Sequence, residues 1–214
     1  MPSNRPSRSI GTQCVLALCS LLALSGCAAH YAQVPARLNL APYRRIAVIT
    51  FSDEQSNSAM STLATQRFAE ALLSSQSGVE LLELGNADPS LRALATAPNA
   101  GPLAQKLGRE KDIPAVFVGS LKFSGTKSRG HLDGSGVAVR SGVTGELTVR
   151  LLSTTTGGTL WRSSATTDET VSRVAVSGRR PSIAVRDQDE AYGEAVRTLV
   201  ANVTRDLRPT WVKQ

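Results

Sequence analysis

The sequence predicts an α/β fold: a single domain in which a mixed β-sheet is flanked by helices, ordered βαβαβ, then a β-hairpin, then a C-terminal helix. Three observations carry this. Short β-branched apolar runs alternate with helix-period segments in the first half, strict period-two alternation replaces them in the second, and an amphipathic helix closes the chain.

Arg45-Ile46-Ala47-Val48-Ile49-Thr50-Phe51 is a compact apolar run of the kind that becomes a strand covered on both faces. After a polar loop ending at Asn57 or Ser58, either of which can cap, Met60, Leu63, Ala64, Phe68, Ala71 and Leu72 recur at helical spacing up to Ser77-Gly78. Residues 79–84 read as a second strand, 103–107 as part of a short helix, and 115–119 as a third strand continued by 120–123. Right-handed crossovers between these elements make the first part of the sheet at least partly parallel. Residues 124–145, rich in Gly, Ser and Thr, read as a solvated loop. Beyond them Leu147, Val149 and Leu151 alternate with Glu146, Thr148 and Arg150, and residues 154–158 turn the chain into 159–167, a β-hairpin. Tyr192, Ala195, Val196, Leu199, Val200, Val203 and Leu207 mark one face of the last helix. Asp187, Asp189 and Glu190 suit the positive end of its dipole, and Pro209 stops it.

The amino-terminal segment has a basic start with Arg5 and Arg8, an apolar core over 15–24, and small residues after it, the order of a secretory signal. Its end, Leu24-Ser25-Gly26-Cys27, resembles the lipobox of bacterial lipoproteins. That resemblance implies cleavage before Cys27, thioether lipidation of Cys27 and acylation of the new amino terminus. Several acyl chains together give lasting anchorage. The expected organisation is a signal peptide over 1–26, the lipidated cysteine and a short tether over 27–43, and a periplasmic domain over 44–214. Cys14 and Cys19 leave with the signal, so a mature chain starting at Cys27 has no free thiol for a disulfide, a nucleophile or a zinc ligand. The tether, with Pro35 and Pro42, spans roughly 50 Å when fully stretched.

The whole chain carries a formal charge of +7, and without Arg5 and Arg8 the mature form is +5. That excess lies entirely beyond residue 121, where 14 basic residues face nine acidic ones. The basic half is expected to meet something anionic: lipid, glycan carboxylates or an acidic protein. Export from the cytoplasm and few aromatics for stacking argue against nucleic acid.

The order of elements, Ile46-Ala47-Val48-Ile49-Thr50-Phe51, Ile113-Pro114-Ala115-Val116-Phe117-Val118-Gly119 and the stretch from Leu147 to Trp161 around Thr156-Gly157-Gly158 resemble one family domain. It is shared by the curli secretion channel lipoprotein, the lipoprotein activators of penicillin-binding proteins and the TolB amino-terminal domain, and the likeness covers roughly residues 44–207. The resemblance implies a mixed sheet flanked by helices, no cofactor, and work done through protein contacts. Two departures matter. A pore needs about 9 to 11 residues in each membrane-spanning strand, whereas residues 120–141 are interrupted by Gly125, Gly130, Gly134 and Gly136. Synthase activators carry a long disordered arm, whereas this tether is short.

Candidate chemistry is sparse. Ser124-Gly125-Thr126-Lys127 matches the S-x-x-K pattern of penicillin-recognising enzymes, but that chemistry needs a helix start and a separate K-T-G strand, and no K-T-G occurs. His131 with Asp133 supplies two ligands where zinc needs three or four. Gly134-Ser135-Gly136 does not open a helix after a strand, as a phosphate cradle would. No catalytic residue and no metal site is therefore assigned. For binding, Arg173, Arg179, Arg180 and Arg186 form a candidate anion-facing patch beside Arg129 and Arg140. The functional expectation is a non-catalytic lipoprotein adaptor or accessory subunit with another envelope protein as partner; homo-oligomerisation is left open. It is anchored through Cys27 in the outer membrane facing the periplasm, because Ala28 and Ala29 follow the cysteine and the aspartate of inner-membrane retention is absent. A curli-type secretion-channel subunit is the alternative, and a periplasmic hydrolase stands behind both.

Overall fold

The computed structural model describes residues 31–54, 58–133, 136–177, 180–185 and 187–213. Cys27 and the signal segment lie outside them. Two compact units appear. The smaller contains a ribbon in which β1 (Tyr31–Val34) pairs antiparallel with β9 (Thr210–Lys213), leaving Trp211 and Val212 exposed. β1 falls within the segment expected as tether.

The larger unit, Pro35–Pro209, is built on one sheet of seven strands. In chain order its elements are β2 (Arg45–Ile49), β3 (Ser52–Asp53), α1 (Ser58–Ser75), β4 (Glu80–Leu84), α2 (Pro89–Thr96), α3 (Gly101–Lys111), β5 (Ala115–Asp133), β6 (Gly136–Ser153), β7 (Thr159–Ser177), β8 (Arg180–Val185) and α4 (Gln188–Val203). The strands run β4-β2-β5-β6-β7-β8, with β3 beside β5. β2 is parallel to both β4 and β5, whereas β5 through β8 are antiparallel, so the sheet is mixed as the sequence predicts.

Each face of the sheet has its own core, as expected of a strand run that is apolar on both sides. Val48, Phe117, Leu147, Val149 and Leu151 meet Phe68, Leu72, Val196 and Leu199 from α1 and α4. Ala47, Ile49, Val116, Val118 and Leu152 meet Leu94, Ala104 and Leu107 from α2 and α3. A chain of tilted and edge-to-face aromatic contacts, Phe51–Phe68–Phe117–Trp161, crosses the first core with centroids 5.1–6.0 Å apart.

Helix boundaries follow local chemistry. Asp88 accepts a bond from the Ser90 amide at 2.8 Å and Pro89 occupies the first turn, starting a helix over Pro89–Thr96 that the sequence reading passed over. Asp187 accepts from the Asp189 amide at 3.1 Å and caps α4. α4 stops at Val203, and Leu207 reaches the core from a 3₁₀ turn over Arg205–Leu207. The turn after β6 closes when the Ser153 amide donates to the Gly158 carbonyl and Gly157 takes φ +75°. The Thr154 hydroxyl is bonded to the Ile113 carbonyl, tying that turn to the start of β5.

A buried amide joins both ends of the unit. Gln76, just past α1, accepts from the Leu40 amide at 3.0 Å and donates to the carbonyls of Leu38 at 3.0 Å and Leu207 at 2.7 Å. Leu40 is fully buried, so the packed core begins ahead of residue 44.

The glycine-rich stretch corrects the sequence reading. Residues 124–133 continue β5 and 136–145 begin β6, so the expected loop is a pair of long strands. Glycine is a poor strand former, but the two sides of β6 are both hydrogen-bonded, and that pairing outweighs local propensity. Glycines in the body of these two strands serve packing: a Cβ at Gly119 would lie 2.6 Å from the Phe51 ring, and one at Gly145 2.8 Å from the Phe123 ring.

Candidate functional site

Beyond Leu121 β5 has no partner on its β3 side among the described residues, while β6, β7 and β8 continue beside it on the other. The result is a four-stranded extension. Its register is continuous over Lys127–Asp133 and Gly136–Gly142 on the first pair, and over Ser172–Ser177 with Gly136–Ser141 and with Arg180–Val185 on the others.

Where this extension meets the body, β5 and β7 carry the extra residues. The pairing of β5 with β6 shifts between Ser124 and Lys127, and that of β6 with β7 skips Val171. β6 itself is unbulged there, so its alternation runs through. Val143, Leu147, Val149 and Leu151 lie in the core under α1 and α4, which assigns Val139 and Val137 to the same side. Arg150, whose Nη2 donates to the Ala97 carbonyl at 3.3 Å, marks the α2 side, which assigns Arg140 to that side.

Register extends these two faces across all four strands. On the α1 side, Leu132, Val137, Val176 and Pro181 form one row, and Gly130, Val139, Val174 and Ile183 the next but one. Between them, on the opposite face, lie His131, Ala138, Ala175 and Ser182. The row beyond Ile183 on that opposite face is Arg129, Arg140, Arg173 and Ala184: three arginines directly opposite one another on three adjacent strands. Lys127 and, opposite Ser177, Arg180 share that face. Neighbouring strands are about 4.8 Å apart, so the backbone positions of the three arginines span roughly 10 Å.

Asp133, opposite Gly136, falls on that same face at the far end of β5, and further acidic groups sit nearer the body. Asp168 accepts from the Thr144 hydroxyl at 2.5 Å, and Lys122 pairs with Glu54 at 2.9 Å. The hydrogen bond and charge of Glu54 hold the Lys122 ammonium above its ordinary range, with a smaller contribution from Glu146. A cleft of about 300 Å³ on the α2 side is lined by Ser52, Asp53, Thr96, Gly119, Arg150 and Arg162.

Of the candidates read from the sequence, Arg173 and Arg180 stand in β7 and β8, on the basic face; Arg179 and Arg186 lie outside the described residues. Arg129 and Arg140 belong to the same register row as Arg173, a relation that spacing along the chain does not reveal. Ser124 and Lys127 are in extended β5, and Ser124 Oγ donates to the Thr144 carbonyl at 3.3 Å; the helix start that S-x-x-K chemistry needs is not there. His131 and Asp133 are strand residues, not members of the turn expected for them. Gly134 and Ser135 are outside the described residues. Among the described residues no three His, Cys, Asp or Glu side chains gather to hold a metal ion, and no helix is long and apolar enough to cross a membrane.

No family model matches this chain, and no curated protein does. Among solved structures it is similar to the PelC dodecamer from Paraburkholderia phytofirmans, at 14% identity over 84% of this chain and 97% of that one, with a TM-score of 0.43. It is also similar to lipoprotein GNA1162 from Neisseria meningitidis, at 19% identity over 59% of this chain and 83% of that one, TM-score 0.37. A third is protein XCC0632 from Xanthomonas campestris, described under the family model DUF330, at 12% identity over 83% of each chain, TM-score 0.34.

Proposed function

We propose that this chain is a lipid-anchored accessory protein of the bacterial envelope, of the kind its lipobox and domain resemble, which acts without catalysis by presenting its β-extension to another protein. The observation that carries the reading is the extension itself: four paired strands that continue past the last described strand paired on the β3 side. An unprotected sheet of this kind is a binding element, since soluble proteins otherwise cover or shorten such edges.

Geometry gives the extension a direction. Gln76 holds residues 38–40 at the end of the sheet where β2 and β5 begin, and the 19 residues of β5 then run about 60 Å to the tip.

The test is crosslinking in intact cells followed by mass spectrometry, comparing wild type with Cys27→Ala. A specific envelope partner captured through the extension, and lost when anchoring is lost, is the expected result. Absence of any crosslink to residues 127–133 or 136–141 removes the reading.

The secretion-channel subunit stands second, and the two open edges of an amphipathic extension favour it. Its length does not. Beyond its bulge β5 continues only over Lys127–Asp133, short of the about 9 to 11 residues that a membrane-spanning strand needs. Closed rings inserted in membranes would reverse that ranking.

A further inference from the structure

The two-stranded ribbon of β1 and β9 concentrates exposed apolar surface. Five large apolar side chains among the described residues stand exposed, and three of them, Val34, Trp211 and Val212, belong to its two four-residue strands. The other two, Leu73 on α1 and Leu160 on β7, are single exposed residues of the kind ordinary on protein surfaces. Trp211 is 64% exposed, although an indole offers one of the largest apolar surfaces of any side chain. Opposed residues of an antiparallel pair share a face, so Gln33, Trp211 and Lys213 lie on one side of the ribbon and Ala32, Val34, Thr210 and Val212 on the other. A ribbon of only two strands is marginal in water, and a surface that covers its apolar side chains would stabilise it.

Chain length identifies the surface within reach. Four residues carry the chain from Cys27 to Tyr31, where β1 begins, and they span at most about 14 Å. With Cys27 acylated, the ribbon therefore starts in or beside the lipid headgroup layer. The Trp211 face suits that layer. An indole can rest its apolar body at the boundary of the acyl chains while its N–H stays among water and headgroups, and a lysine on the same face, two residues on, can extend its ammonium to lipid phosphate. A second copy of the chain is the poorer occupant, because a stable protein interface takes roughly 20 to 30 residues a side and the ribbon offers two strands of four.

From this we infer that the β1–β9 ribbon is a second membrane contact beside the acylated Cys27: Trp211 seats at the headgroup–acyl boundary of a phospholipid bilayer and Lys213 meets lipid phosphate. Several acyl chains already give lasting anchorage, so the ribbon's part is to fix how this end of the chain lies on the bilayer. The inference rests on the lipid-anchored reading, and its test separates the two.

The experiment uses the full chain, expressed with its signal segment and carrying Trp161→Phe, so that Trp211 is the only tryptophan. Intact mass first reads acylation of Cys27. The detergent-purified chain is then reconstituted into vesicles of phosphatidylethanolamine and phosphatidylglycerol, with and without phosphatidylcholine brominated on its acyl chains, and tryptophan emission is recorded. Trp211 is expected to emit further to the blue in vesicles than an indole in water, to lose intensity when brominated lipid is present, and to be shielded from iodide in the aqueous phase. The difference between wild type and Trp211→Phe gives the same reading with Trp161 in place. An unacylated chain overturns both the anchored reading and this inference. An acylated chain whose Trp211 is quenched by iodide and indifferent to brominated lipid overturns the inference alone. Shielding from both quenchers also overturns it, because the indole is then covered by protein, a second copy included.

Discussion

Replacing Gln76 by leucine should cost the domain far more than an exposed amide would. The native side chain makes three hydrogen bonds, to the Leu40 amide and to the carbonyls of Leu38 and Leu207. Leu40 and Leu207 are fully buried, so water cannot replace those two bonds, whereas the Leu38 carbonyl is only part-buried. Leaving two buried backbone groups unsatisfied costs about 1–3 kcal/mol each, offset in part by the apolar leucine, for a net loss of about 3 kcal/mol. For a domain of this size that lowers Tm by about 10 °C. Gln76→Glu sharpens the test. Its carboxylate still accepts from Leu40, but its second oxygen faces two carbonyls, so burial and repulsion raise its pKa in the folded state. The folded form then binds a proton more readily than the unfolded one, and stability is regained as pH falls through the raised value and is fully present below the unfolded value of about 4.3. Thermal melts by circular dichroism at pH 7 and pH 4, each referred to wild type at the same pH, read both effects. A leucine variant within 2 °C of wild type, or a glutamate variant whose deficit is the same at both pH values, refutes the account of Gln76 as a satisfied buried clamp.

Gly119→Ala should lose about 1–3 kcal/mol, seen in denaturant melts, because its methyl would sit 2.6 Å from the Phe51 ring in a packed core. Among the described residues the Trp161 indole N–H has no hydrogen-bond partner, so Trp161→Phe should change stability by less than about 1.5 kcal/mol, while Trp161→Ala removes the edge contact with Phe117 and costs about 3 kcal/mol. Asp88 has its carboxyl held below the ordinary range by the Ser90 amide, so the stability it contributes is present above pH 3.8 and lost as pH falls through the lower folded value; Asp88→Ala should destabilise at pH 6 and approach wild type once the carboxyl is protonated in both states. Glu54→Gln should return the Lys122 ammonium toward its ordinary titration range, read by NMR of the lysine side chain; with the folded pKa raised in wild type, the difference in stability should fade as pH rises above that range.

Much of the fold is written in local pattern. The run at Ile46–Ile49, the helix-period residues of α1, the alternation at Leu147, Val149 and Leu151, and the acidic start of α4 each name their element. The helix over Pro89–Thr96 was equally legible: Asp88-Pro89 is a cap followed by a favoured first residue, and Leu91, Leu94 and Ala95 repeat at helical spacing. Along 124–145 glycine content masks a strand pattern that Val137, Val139 and Val143 still carry, because paired neighbours decide the outcome there. The arginine row is of another kind. It exists only in the register between strands, and that register depends on bulges no single strand reveals.

Those bulges give the gene different freedoms at different places. β5 and β7 already hold surplus residues at the level of Ser124–Lys127 and Val171, so an insertion or deletion there alters a kink while the strands beyond keep their sides. β6 has no such slack. A single residue gained or lost between Arg140 and Leu147 would turn Val137 and Val139 to the side of Arg150 and bring Arg140 to the side of the buried leucines. Among natural variants of this protein, length changes should collect at the two bulges and at the strand-connecting tips, while β6 keeps a constant count.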